Sequence, residues 1–172
     1  MKVGTGLLNN HWTFDARLSN IGTDGYIDRA SVDLNSYYLQ GGYFAENTSV
    51  KLIAFAGKEK TYHAWGYATK KEMEDFGRRY NPCGEMYTDA NGNKHFYDDQ
   101  TDNYLQKNYQ LLFNHTFSTA WNLNVALHYT KGDGYYEEYK DGRSLIEYGL
   151  KPFTIDGTEI TKSDLVRQKK MD

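Results

Sequence analysis

Proline and cysteine are nearly missing from this 172-residue chain, which holds two of the first and one of the second. The lone Cys83 excludes an internal disulfide, and it lacks the partners a zinc site needs. No stretch approaches the roughly 18 continuous apolar residues of a transmembrane helix. Basic pairs such as Arg78-Arg79 and Lys169-Lys170 are too short to make the clustered basic face of a nucleic-acid surface, and the net charge of -3 argues against one. Signatures of catalysis are absent too, with no Gly-x-Ser-x-Gly elbow, no His-Glu-x-x-His helix and no phosphate-cradling glycine loop. Asp15, Asp33, Glu59 and Glu137 show no recognisable pairing of the kind glycoside cleavage requires. No catalytic residue and no cofactor is therefore assigned. Met1 to Gly6 lacks the apolar region and cleavage site of a secretory signal.

What the chain has is tyrosine and glycine, 16 of each, in a sequence of mean hydropathy -0.80. Its apolar residues alternate. Leu105, Tyr109, Leu111, Phe113 and Phe117 interleave with Gln106, Asn108, Gln110, Asn114 and Thr116. After the turn Ser118-Thr119-Ala120, Trp121, Leu123, Val125, Leu127 and Tyr129 interleave with Asn122, Asn124, Ala126 and His128. A period of two means β-strand. Arms of this length, apolar on one side and aromatic near their ends, match the 9–11 residues with which a strand crosses an outer membrane. Because only every second residue of such a strand meets lipid, low hydropathy does not exclude a barrel.

Further strands are predicted at about His11 to Ser19, Val32 to Ala45 and Ser49 to Trp65, with the register of Val32 to Trp65 ambiguous. About five long strands are legible. The breaks near Asn47 and Thr119 are short, whereas Gly66 to Asp102 and Lys131 to Asp172 are long, the asymmetry of a barrel with turns on one rim and loops on the other. Thr69-Lys70-Lys71-Glu72 has the spacing of a helix capping box, Asn91-Gly92 and Asp156-Gly157 read as hairpin turns, and Ser163-Asp164 reads as the start of a final helical turn through Arg167. The fold class expected is all-β: an antiparallel up-and-down meander forming part of a transmembrane barrel, one domain over residues 1–172. An open sheet of this kind leaves bare edges and an uncovered apolar face, so aggregation without detergent is expected.

The runs Gly6-Leu7-Leu8-Asn9-Asn10-His11-Trp12, Asp24-Gly25-Tyr26-Ile27-Asp28-Arg29-Ala30, Gly57-Lys58-Glu59-Lys60-Thr61-Tyr62, Gln100-Thr101-Asp102-Asn103-Tyr104 and Leu127-His128-Tyr129-Thr130 resemble the barrel region of TonB-dependent outer-membrane receptors, especially those of Bacteroidetes. The resemblance covers nearly the whole chain. It implies an outer-membrane location in a Gram-negative cell, lipid around the barrel and a plug inside it. It also implies energy from a TonB complex and uptake of a scarce nutrient such as an iron chelate, haem, cobalamin or a glycan. No plug domain, TonB-contacting segment or terminal aromatic-ended strand is legible, so the expectation is an internal piece whose partners include the rest of the same receptor.

Tyrosine and tryptophan near strand ends read as interfacial girdles or packing. A sharper reading assigns Trp65, Tyr67, Tyr80 and Tyr87 on the long loop to a ligand-contact surface, since aromatic rings give large contact area and stack on flat ligands. His63 and His95, with Asp98, Asp99 and Asp102 nearby, match no metal-site spacing, and Asp89 to Asn93 lacks the ligand pattern of a calcium loop, so no metal site is assigned. The competing reading of the whole chain is a soluble β-sheet binding module. There the apolar faces close on each other as a sandwich and the loops recognise a glycan or protein partner.

Overall fold

The computed structural model describes residues 1–171, and they form an all-β antiparallel meander. The strands are β1 (Lys2–Gly4), β2 (Trp12–Thr23), β3 (Val32–Phe44), β4 (Thr48–Tyr62), β5 (Glu85–Thr88), β6 (Lys94–Phe96), β7 (Thr101–Ser118), β8 (Trp121–Ser144), β9 (Phe153–Ile155), β10 (Thr158–Ile160) and β11 (Lys162–Met171); one helix, α1 (Lys70–Phe76), lies in the long loop. Seven strands pair in the order β1-β2-β3-β4-β7-β8-β11, and β5-β6 and β9-β10 are separate hairpins. The edges β1 and β11 do not pair with each other, so the sheet is open.

The pairing settles the register left ambiguous between Val32 and Trp65. Trp12, Tyr43, Val50, Phe113 and Val125 lie opposite one another across five strands. The next row on the same face is Phe14, Gly41, Leu52, Leu111 and Leu127, and the next is Ala16, Leu39, Ala54, Tyr109 and Tyr129. Rows between them point to the other face and are mostly polar, as in Asp15, Gln40, Ile53, Gln110 and His128. Because side chains alternate with period two, a slip of one residue would turn every strand inside out. The apolar face is bare: Leu18, Leu52 and Leu127 are each more than half exposed, and Trp121 is 73% exposed.

That apolar band is slanted. On β8 it begins at Trp121, but the row of Trp12 on β2 meets β8 at Val125, four residues further along. At its other edge Leu18 shares a row with Lys131, two residues beyond Tyr129. At about 3.4 Å per residue and about 4.8 Å between strands, the two edges correspond to a tilt of roughly 20–35° over four strand steps.

Connections differ between the rims. One rim carries the tight turns Ala45–Asn47 and Ser118–Trp121 and the connection 5–11; the other carries residues 24–31, 63–100 and 145–161. The capping box forms as its spacing predicts: Thr69 accepts from the Glu72 amide at 3.2 Å while Glu72 accepts from the Thr69 amide at 2.7 Å. Asp156 and Gly157 both have positive φ, 48° and 80°, which makes that hairpin a type I′ turn. Asn91-Gly92 differs from a two-residue turn, since Asp89 and Asn93 close a three-residue loop and Gly92 alone is left-handed, with φ 85°.

Three sequence expectations are corrected. The main sheet has seven strands rather than about five, because the three-residue β1 and the strand β11 also join it. β8 runs on to Ser144, so the loop there spans 145–161 rather than beginning at Lys131. Residues 163–167 are extended, not helical: β11 pairs along the extension of β8, placing Arg167 opposite Glu138 and Gln168 opposite Glu137, and these cross-strand contacts override the local capping signal.

Gly134 marks the tightest strand approach. A β-carbon there would stand 2.5 Å from the Asn103 carbonyl oxygen and 3.1 Å from the Tyr104 α-carbon, both backbone atoms. Gly134→Ala is therefore expected to force β7 and β8 apart and to cost roughly 1–3 kcal/mol. Denaturant unfolding followed by tryptophan fluorescence measures it, and an unchanged midpoint would refute the close approach.

Candidate functional site

The buried side chains gather at the rim of long loops, and the hub there is Asn81, 1% exposed. Its side-chain amide donates to the carbonyls of Asp28 at 3.1 Å and His63 at 2.9 Å, and its Oδ1 accepts from the Cys83 amide at 3.0 Å. One side chain thus ties the 24–31 loop, the end of β4 and the 63–100 loop together. Arg29 reinforces the tie: its guanidinium sits 3.4 Å from the Phe96 ring centroid and donates to the Asn81 carbonyl. Arg29 holds φ at 62°, a left-handed conformation that non-glycine residues rarely adopt and that these contacts over-determine. Asp28 also pairs with Arg79 at 3.2 Å.

The β5-β6 hairpin is organised by two carboxylates. Asp89 accepts from both the side chain and the amide of Asn93, and also from His95 and the Asn91 amide, which together hold its carboxyl down to about 2. Its oxygens are occupied by protein donors rather than free for a cation. Glu85 accepts from Tyr80 at 2.6 Å and from Lys94; burial alone would raise it, but those two partners outweigh burial and lower it. Among the described residues no group of three or more His, Cys, Asp or Glu is placed to hold a metal ion.

A second cluster lies where the polar face of the sheet meets the loops. His63 continues the face that carries Thr61, Asp102 and Tyr136 in one row. It is 3% exposed, with its ring centroid 3.6 Å from Trp65 and 5.8 Å from Tyr136, and neither ring nitrogen has a hydrogen-bond partner. Asp102 Oδ1 and Arg167 Nε are likewise buried without partners. Burial lowers the His63 pKa, and the negative charges of Asp102 and Glu138 oppose that shift without reversing it. Glu138 would be raised by burial, yet Lys140 at 2.7 Å and Arg167 keep it ionised and lowered.

The four aromatic residues singled out from the sequence go to different places. Trp65, 53% exposed, belongs to the His63 cluster. Tyr67 is 95% exposed and stands alone. Tyr87 stacks on His95 at 4.5 Å on the separate hairpin. Tyr80 is 7% exposed, packed on Phe76 and bonded to Glu85, so its ring belongs to the loop core rather than to a contact surface. Asn81, Arg29 and Tyr136 carry no sequence signal for their roles; Asn81-Pro82 announces only a turn.

Asn81→Ala strands two backbone carbonyls and an amide, and is expected to cost roughly 1–3 kcal/mol, localised to the loops. Hydrogen exchange should accelerate together in residues 24–31 and 78–84 while the amides of β3 and β4 stay protected; acceleration in one loop alone would break the hub argument. His63 carries a sign for pH. With its folded value below 6.5, the unfolded chain binds the extra proton first, so stability is lost as pH falls below 6.5. A pH titration of loop exchange should show this loss in the parent and not in His63→Phe.

No family model, no curated protein and no solved structure matches this chain, so its assignment rests on the geometry described above.

Proposed function

We propose that this chain forms part of the wall of an outer-membrane β-barrel receptor of the TonB-dependent kind, with the long-loop rim outside the cell and the His63 cluster facing the lumen mouth. The observation that carries the reading is the band of apolar side chains on one face of β2, β3, β4, β7 and β8, bounded by Trp12, Tyr43 and Trp121 at one edge and Tyr37, Tyr109 and Tyr129 at the other. Lipid-facing strands need such a band with aromatic borders. A slant is what strands show when they tilt while the bilayer stays flat, and its upper estimate of roughly 35° meets the lower end of the 35–45° of such barrels. Tight turns on one rim and long structured loops on the other support the same arrangement.

A sandwich requires a second layer over the apolar face. Among the described residues the only other sheets are two-stranded hairpins, and Phe14, Leu52 and Leu127 remain more than half exposed. In the receptor reading, Trp65 and Tyr136 offer rings to a small nutrient with flat or sugar-like surfaces, and His63, Asp102 and Arg167 supply polar contacts. Outer-membrane lipid, a plug and other barrel strands, and a TonB complex are the partners it calls for.

Single-tryptophan variants in vesicles containing brominated lipid test the membrane half of the proposal. Trp12 and Trp121 should be quenched and Trp65 should not; equal quenching of all three, or a monodisperse chain in buffer that ignores vesicles, would sink it. The receptor half is read from the complete reading frame, which should encode a plug domain upstream and further alternating strands downstream.

A further inference from the structure

His63 is fixed by its backbone and not by its ring. Its amide donates to the Gln100 carbonyl at 2.8 Å and its carbonyl accepts from the Asn81 side chain at 2.9 Å, so the chain is clamped on both sides. The side chain is 3% exposed, yet among the described residues neither ring nitrogen meets a hydrogen-bond partner. What holds the ring is packing, with Trp65 at 3.6 Å between centroids and Tyr136 at 5.8 Å. A neutral imidazole tolerates that seat. An imidazolium carries two N–H donors and a charge that burial disfavours. With the backbone clamped, the response left to His63 on taking a proton from water is rotation of its side chain.

The groups facing His63 decide where the ring turns. On β8, Glu138 is already held by Lys140 at 2.7 Å and by Arg167 of β11. Tyr136 is flanked by Arg167 and Lys169, 5.8 and 5.9 Å from its ring, positive charges that repel an imidazolium. Arg29 of the 24–31 loop is engaged by the Asn81 carbonyl and the Phe96 ring, and Glu59 of β4 stands two rows away beyond Thr61. Asp102 on β7 differs from all of these. It lies opposite Thr61, which makes it the diagonal neighbour of His63 on the same face, and its buried Oδ1 has no partner among the described residues. Diagonal neighbours lie about 7–8 Å apart, within reach of a ring side chain. Of the two carboxylates that favour protonation of His63 against burial, Asp102 acts more strongly than Glu138.

We propose that His63 and Asp102 form a proton-operated switch on the aromatic cluster at the loop rim. With His63 neutral, its ring supports Trp65; with His63 protonated, the ring turns onto Asp102 and Trp65 swings into solvent. The cluster then holds a flat ligand at neutral pH and releases it in acid. That consequence rests on the reading of Trp65 and Tyr136 as a ligand surface, whereas the switch itself can be measured with neither ligand nor membrane.

The test follows Trp65 alone, by acrylamide quenching from neutral pH into acid, in the full chain in detergent carrying Trp12→Phe and Trp121→Phe. Quenching should rise roughly two-fold across one single-proton transition below pH 6.5, the gain expected when a ring 53% exposed becomes fully exposed. Far-UV circular dichroism should stay constant through it, because the strands take no part. His63→Gln should abolish the transition, and Asp102→Asn should move it to lower pH by removing a charge that favours the imidazolium. No transition in the parent, a transition that survives His63→Gln, or an Asp102→Asn midpoint equal to the parent's overturns the switch. Lipid quenching of Trp12 and Trp121 beside a Trp65 that does not titrate removes the switch and leaves the receptor reading; a titrating Trp65 in a chain that ignores vesicles does the reverse.

Discussion

Cross-strand register is the constraint on which the rest of the molecule depends. Each of the five long strands β2, β3, β4, β7 and β8 carries apolar residues at alternate positions, and the register puts Trp12, Tyr43, Val50, Phe113 and Val125 in one row on the same side. Once that row is set, the polar face, the slant of the band and the height of each loop above it follow, because rows repeat every two residues. The tight turns at Ala45–Asn47 and Ser118–Trp121 help hold this register, leaving little slack for slippage.

The architecture inverts the usual distribution of a globular protein. Its largest apolar surface faces outward, whereas its most buried side chains, Asn81, Leu145 and His63, lie among loops and strand ends. Loops that carry their own packed centre can hold side chains in fixed positions, which is what a recognition surface needs. Asn81 and Arg29 do this by joining two loops far apart in sequence. The exposed Trp65 is held from below by His63 and from the side by Tyr136, so its free face is presented at little further entropic cost.

Electrostatics separates the two faces of the same rim. On the polar face, Glu138 is flanked by Lys140 and Arg167, and burial lowers the pKa of His63. On the apolar face, Lys58, Lys107 and Lys131 crown the band with one carboxylate among them. Both features grow from strands continuing past the apolar band, where charge helps decide what each face can meet.

Much of this was legible in one dimension. The alternation of Leu105 to Tyr129, the capping box at Thr69 and the turn at Asp156-Gly157 are local signals read over a few residues, and each forms where the sequence places it. What the tertiary structure alone decided depends on partners distant in the chain. Ser163 to Arg167 became strand because the extension of β8 was there to pair with it. Tyr80 went inside because Phe76 and Glu85 fold over it. The meeting of His63, Trp65, Asp102 and Tyr136 was invisible because it joins β4, the long loop, β7 and β8, and no periodicity in one strand records which residues of another lie opposite.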